Sequence, residues 1–79
     1  MAEVILYSRQ GCHLCDVVKG SLTRLAQQAS FSWRIVDIDA DPELHRLYNE
    51  EVPVVFINGR KAFKYHMNER EFLRKLAAR

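Results

Sequence analysis

Two cysteines, three apart in Cys12-His13-Leu14-Cys15, are the residues of this chain best equipped for chemistry, and they are its only cysteines. Positions three apart share a helix face at about 3.6 residues per turn, so their sulfurs can meet. The pair follows a short apolar run and a polar loop and opens a helical pattern, which places Cys12 at a helix N-terminus and Cys15 one turn in. Unpaired N–H groups and a partial positive charge at such a terminus stabilise an anion. A thiolate is that anion, and cysteines so placed have pKa values of roughly 3.5–7.5 against about 8.5 for the free thiol. Only the thiolate attacks a disulfide. Cys12 is therefore the expected nucleophile, and Cys15, set deeper, the residue that resolves the mixed disulfide. The plainer alternative is a pair of inert buried thiols.

Neighbours of the pair can tune it. His13, if protonated, adds positive charge near the thiolate in a pH-dependent way, and otherwise simply faces solvent. Arg9, three residues before Cys12, offers a permanent charge or is an ordinary solvated loop arginine. Leu14 reads as core.

The surrounding elements must hold the pair in place. Residues 4–7 are continuously apolar and β-favouring, which suits a strand buried on both faces; residues 8–11 are a polar loop ending in glycine. From 12 to about 28, Leu14, Val18, Leu22, Leu25 and Ala29 recur at helical spacing, with Gly20 a slight weakness. Residues 31–38 form a second strand candidate. Asp41-Pro42 signals a helix start, continued by Leu44, Leu47 and Tyr48. Residues 54–57 are the strongest strand, Asn58-Gly59 is a hairpin signal, and 61–65 return as an edge. Asn68-Glu69-Arg70-Glu71 has the form of a capping box, and Phe72, Leu73 and Leu76 give the last helix its buried stripe. The order βαβαββα implies an α/β fold: a parallel first pair joined by a right-handed crossover, an antiparallel hairpin, and a mixed four-stranded sheet with helices on both faces.

Pro53 opens the strongest strand, where proline cannot donate to the ladder. A cis Val52–Pro53 bond would turn the chain and leave the Val52 N–H and C=O free to pair with an extended substrate; a trans proline at a strand start is the other reading.

Bulk properties set bounds. The chain has 79 residues, enough for one domain spanning 1–79. A net charge of +2 is too small to argue for nucleic acid. The charge is uneven: residues 35–52 carry Asp37, Asp39, Asp41, Glu43, Glu50 and Glu51 against Arg46 alone, whereas from Arg60 onward bases dominate. That imbalance fits anionic partners or simply a solvated face. No apolar run approaches the roughly 20 residues of a membrane helix. The start of the chain lacks the features of a signal peptide, so the expected location is the cytoplasm. Two cysteines do not make a disulfide-stapled scaffold in that compartment.

Taken together, Tyr7-Ser8-Arg9-Gln10-Gly11-Cys12-His13-Leu14-Cys15, then Glu51-Val52-Pro53-Val54, and the element order resemble the thioredoxin superfamily, and within it a small glutaredoxin-like protein. The resemblance implies a thioredoxin-like fold and thiol–disulfide exchange through Cys12 with resolution by Cys15. It also implies a cis-proline at Pro53 facing the pair, Val52 and Pro53 as substrate contacts, Arg9 near the carboxylate of glutathione where that is the co-substrate, and no resident cofactor. Partners would be protein or low-molecular-weight disulfides, with glutathione or a reductase as electron donor, and the chain would be a monomer. It departs from the family in having His13-Leu14 between the cysteines. It also has Ala62-Phe63-Lys64-Tyr65 where glutaredoxins carry a glycine pair that holds glutathione.

Two other classes compete. Soft thiolates bind Cu(I) or zinc, and a structural zinc site would draw two further ligands from His13, His45 and His66. A non-catalytic interaction domain on the same fold is the third.

Overall fold

The computed structural model describes residues 2–78. In chain order it contains β1 (Ala2–Ser8), α1 (His13–Leu25), β2 (Phe31–Asp37), a 3-10 turn (Ile38–Ala40), α2 (Pro42–Tyr48), β3 (Val54–Ile57), β4 (Arg60–Lys64) and α3 (Glu69–Ala77). The expected order βαβαββα holds, with the 3-10 turn inserted ahead of α2.

The strands form one mixed four-stranded sheet in the order β2-β1-β3-β4. β1 pairs in parallel with β2, from Ala2↔Phe31 to Ser8↔Asp37. It pairs antiparallel with β3, from Val4↔Ile57 to Tyr7↔Val54. The β3–β4 hairpin turns through Asn58 and Gly59 at φ of 50° and 81°. Positive φ at both central residues is the signature of a type I′ hairpin turn, a conformation that asparagine and glycine adopt readily. Asn58 also ties the turn to the start of β1: its N–H donates to the Glu3 carbonyl over 2.8 Å, and its Oδ1 accepts the Glu3 N–H over 3.0 Å. The β3–β4 register slips between Val55 and Phe56, a bulge that bends the edge.

The main core lies on one face. Val4, Leu6, Val55 and Ile57 of the sheet meet Val18, Leu22 and Leu25 of α1 and Phe72 of α3. Each such side chain, fully buried, contributes about 1.5–3 kcal/mol. Phe31 and Phe72 pack edge to face at 5.2 Å. Asn68 caps α3, its Oδ1 accepting the Glu71 N–H over 2.9 Å, and Arg24 of α1 pairs with Glu69 of α3 at 2.8 Å. On the opposite face Tyr7 and Phe56 pack with Tyr48 of α2.

Four expectations change. Leu14 is 37% exposed, because the buried stripe of α1 starts at Cys15 and runs through Val18, Leu22 and Leu25. Leu73 is exposed as well, leaving Phe72 as the fully buried anchor of α3. α1 ends at Leu25, and residues 26–28 form tighter turns, with Gln27 N–H reaching only back to Arg24 and Gln28 N–H to Leu25. β1 buries Val4 and Leu6 completely but Ile5 and Tyr7 only partly, since α2, the helix over its second face, is seven residues long and contributes no buried residue.

Candidate active site

Gly11 closes the loop after β1 at φ 75° with open space where a side chain would stand, so its backbone conformation is what calls for glycine. The next residue, Cys12, has extended backbone (φ −93°, ψ 108°) and is the N-cap of α1. Its Sγ accepts the N–H of Cys15 over 3.1 Å, and its carbonyl accepts the N–H of Asp16 over 3.2 Å. The sulfur thus occupies the acceptor position that serine or aspartate oxygens usually take. A thiolate there receives a charge-assisted hydrogen bond in addition to the helix dipole.

Cys12 and Cys15 are joined by a disulfide, their Cα atoms 5.2 Å apart. Cys15 is 3% exposed, whereas Cys12 is half-buried. This asymmetry separates an outer sulfur that is partly open to solvent from an inner one that is closed off. An open cavity of about 250 Å³ beside Cys15 is lined by Ser8, Arg9, Asp16, Lys19 and Asp37 among others. His13 is exposed on the first turn of α1.

Arg9 has a different setting from the one expected. Its guanidinium pairs with Asp39 at 3.3 Å and donates to Asn49 Oδ1. Asp39 also lies 3.6 Å from His45 Nε2. Arg9 therefore fastens the loop ahead of Cys12 to the 3-10 turn and to the C-cap of α2, so part of its guanidinium is engaged within the chain. His13, His45 and His66 are not gathered around the cysteines: among the described residues no group of three or more His, Cys, Asp or Glu side chains could hold a metal ion.

The Val52–Pro53 peptide bond is cis, and Pro53 is buried. Tyr7 opposes Val54 across β1–β3, so the turn carrying Pro53 and the loop carrying Cys12 leave the sheet at the same end. One expectation is corrected here. The Val52 N–H is not free but donates to the Tyr48 carbonyl over 3.2 Å, because α2 runs directly into this turn. Among the described residues the Val52 carbonyl receives no backbone donor outside the sheet and helix ladders.

Tyr65 completes the row. Val54 opposes Lys64 across β3–β4, and the Tyr65 N–H reaches the carbonyls of Pro53 (2.9 Å) and Glu51 (3.3 Å). Its φ is 68°, and the His66 N–H closes onto the Lys64 carbonyl over 2.8 Å. An i→i+2 bond around a positive-φ residue is a γ-turn of the rare, strained hand. A bulky side chain at such a φ costs of order 1–3 kcal/mol. Beside the same turn, Lys61 pairs with Glu51 at 2.7 Å and stands 5.5 Å from the Tyr48 ring centre. The hydrogen bond from Lys61 holds the Glu51 carboxyl below its ordinary range and raises the Lys61 ammonium in return.

Sequence reasoning missed Asp39, Asn49 and Tyr65. The acidic stretch facing a lone loop arginine was a signal for Asp39. No local pattern marks a tyrosine for positive φ.

A family model described as "Glutaredoxin-like domain (DUF836)" matches residues 3–77. The chain belongs to the glutaredoxin-like domain family. Two solved structures are similar to this glutaredoxin-like chain over nearly all of it. Protein Ne2328 from Nitrosomonas europaea is 31% identical with a TM-score of 0.83, covering 96% of this chain and 92% of that one. Protein XcR50 from X. campestris is also 31% identical, with a TM-score of 0.76 and coverage of 96% and 97%. Oxidised mitochondrial thioredoxin 3 from Saccharomyces cerevisiae, at 18% identity, aligns with a TM-score of 0.72 over 95% of this chain and 76% of its own, a likeness of fold. The glutaredoxin-like domain is thus a thioredoxin fold carrying a Cys-x-x-Cys pair.

Proposed function

We propose that this glutaredoxin-like domain is a thiol–disulfide oxidoreductase that works through Cys12 and Cys15. The observation that carries the reading is the Cys15 N–H donated to the Cys12 sulfur at the head of α1, with the two sulfurs within bonding reach. The Cys12 thiolate attacks one sulfur of a substrate disulfide. A Cys12–substrate disulfide forms, and the other substrate sulfur leaves as a thiolate. Cys15 then loses its proton to solvent and attacks the Cys12 sulfur. The mixed disulfide breaks, the substrate departs as its second thiolate, and Cys12–Cys15 remain oxidised. The substrate has gained the two electrons that the pair has lost. A dithiol reductase or two molecules of glutathione return them. Substrates are protein or low-molecular-weight disulfides, and the reducing cytoplasm is the compartment that suits the cycle.

The test is a redox titration of the purified protein against glutathione and dithiothreitol couples, read by mass. A two-electron couple in the range of roughly −200 to −270 mV supports exchange. Cys12→Ser should abolish turnover yet keep α1 capped, since serine is a strong N-cap. Cys15→Ser should accumulate a mixed disulfide. Retained metal with no disulfide formation would instead favour a soft-metal carrier.

A further inference from the structure

We propose that Tyr65 is the specificity-determining residue of the exchange site, its ring forming one wall of a groove that takes an extended polypeptide disulfide. The inference rests on the exchange reading above.

Three observations meet at this residue. The first is conformational. Of the two non-glycine residues at positive φ among the described residues, Asn58 belongs to the hairpin turn, where asparagine is at ease. Tyr65 is of a type that avoids this region. Glycine would make the same γ-turn and the same N–H contacts to Pro53 and Glu51 without opposition. The aromatic side chain therefore contributes something that the backbone does not require.

The second is position. The Tyr65 N–H is fastened to the carbonyls on either side of Val52, at the end of the sheet where the Cys12 loop also leaves. The ring is not absorbed into the core: Tyr65 is 41% exposed, with Lys64 Nζ 5.6 Å from its ring centre. Leu14, exposed on the first turn of α1, adds apolar surface next to the cysteines.

The third is the pattern of open hydrogen-bonding groups. The Val52 N–H is occupied by Tyr48 while its carbonyl has no such partner among the described residues. A polypeptide lying along the turn can donate a backbone N–H to that carbonyl, as an added strand does. A side chain next to its cysteine would then rest on the Tyr65 ring. Small anionic thiols find less here, because the guanidinium of Arg9 is held by Asp39 and Asn49.

The experiment measures reduction of two disulfides, insulin as the polypeptide and 2-hydroxyethyl disulfide as the small one. Dithiothreitol serves as electron donor for wild type, Tyr65→Gly and Tyr65→Phe. Removing an aromatic anchor should raise the KM of Tyr65→Gly for insulin about tenfold. Its kcat/KM for 2-hydroxyethyl disulfide stays within about twofold of wild type, the level at which a group touching only the larger substrate is silent. Tyr65→Phe behaves as wild type on both. The melting temperature of Tyr65→Gly should equal or exceed that of wild type, because glycine relieves the left-handed turn. Equal losses on both disulfides, no loss on either, or a lowered melting temperature in Tyr65→Gly would overturn the assignment. If wild type reduces neither disulfide, the exchange reading itself fails and this inference falls with it.

Discussion

The backbone N–H of Cys15 donates to the sulfur of Cys12 across 3.1 Å. In the reduced protein the same geometry would let the backbone of the buried cysteine stabilise a thiolate on the half-buried one. A single turn of helix supplies an acceptor position for the first sulfur, a donor for it from the second residue, and a core position for that second residue. Burial of Cys15 follows from the same register that places Val18, Leu22 and Leu25 in the core.

This arrangement should appear in alkylation rates. Each unit by which the Cys12 pKa falls increases its thiolate fraction about tenfold below both pKa values, while lower intrinsic nucleophilicity returns part of that gain, leaving about threefold. In the reduced protein at pH 6 and 7, iodoacetamide should modify Cys12 at least about threefold faster than free cysteine, and Cys15 more slowly than Cys12. Equal rates for Cys12 and free cysteine would remove the electrostatic basis of the redox reading.

The register of α1 can be checked through stability. Leu22 is fully buried and Leu14 is not. Leu22→Ala should cost about 2–5 kcal/mol, a large part of the stability of so small a domain. Leu14→Ala should cost under about 0.5 kcal/mol. Urea unfolding of both variants in the reduced state measures the difference. Comparable losses would mean that the helix is rotated from the position described.

The tie between Arg9 and Asp39 calls for a double-mutant cycle. The pair is partly exposed, so its coupling should be about 0.2–1 kcal/mol in chemical denaturation of Arg9→Ala, Asp39→Ala and the double variant. Additive losses would mean that the loop before Cys12 is held by something else.

Acid should weaken the fold. Hydrogen bonds from Arg46, Lys61, Arg24 and Arg74 hold the carboxyls of Glu43, Glu51, Glu69 and Glu71 below their ordinary values. A folded-state pKa below that of the unfolded chain gives stability that is present above the unfolded value, about 4.3, and is lost as pH falls through the folded one. Thermal melts should be flat on this account from pH 7 to about 5 and decline below about 4.3. Glu51→Gln should make the decline shallower. An unchanged slope in that variant would show that the Lys61 contact does not persist in solution.

What the sequence determined alone was whatever depends on neighbours along the chain. The helical period after Cys12, the Asp41-Pro42 and Asn68 caps, the Asn58-Gly59 turn and the position of the cysteine pair are all local, and the structure has each of them. What the tertiary structure decided was how local choices are broken when elements meet. Leu14 and Cys15 are both apolar and adjacent, and only the approach of α1 to the sheet selects the cysteine for burial. Whether Arg9 faces solvent, an anion or Asp39 depends on a loop that folds back from thirty residues further on. The Val52 N–H is taken by Tyr48 because α2 abuts the turn. Tyr65 is driven to positive φ by its hydrogen bonds to residues 51 and 53. These outcomes are set by contacts between segments remote in sequence, which a residue's own type and immediate neighbours do not specify.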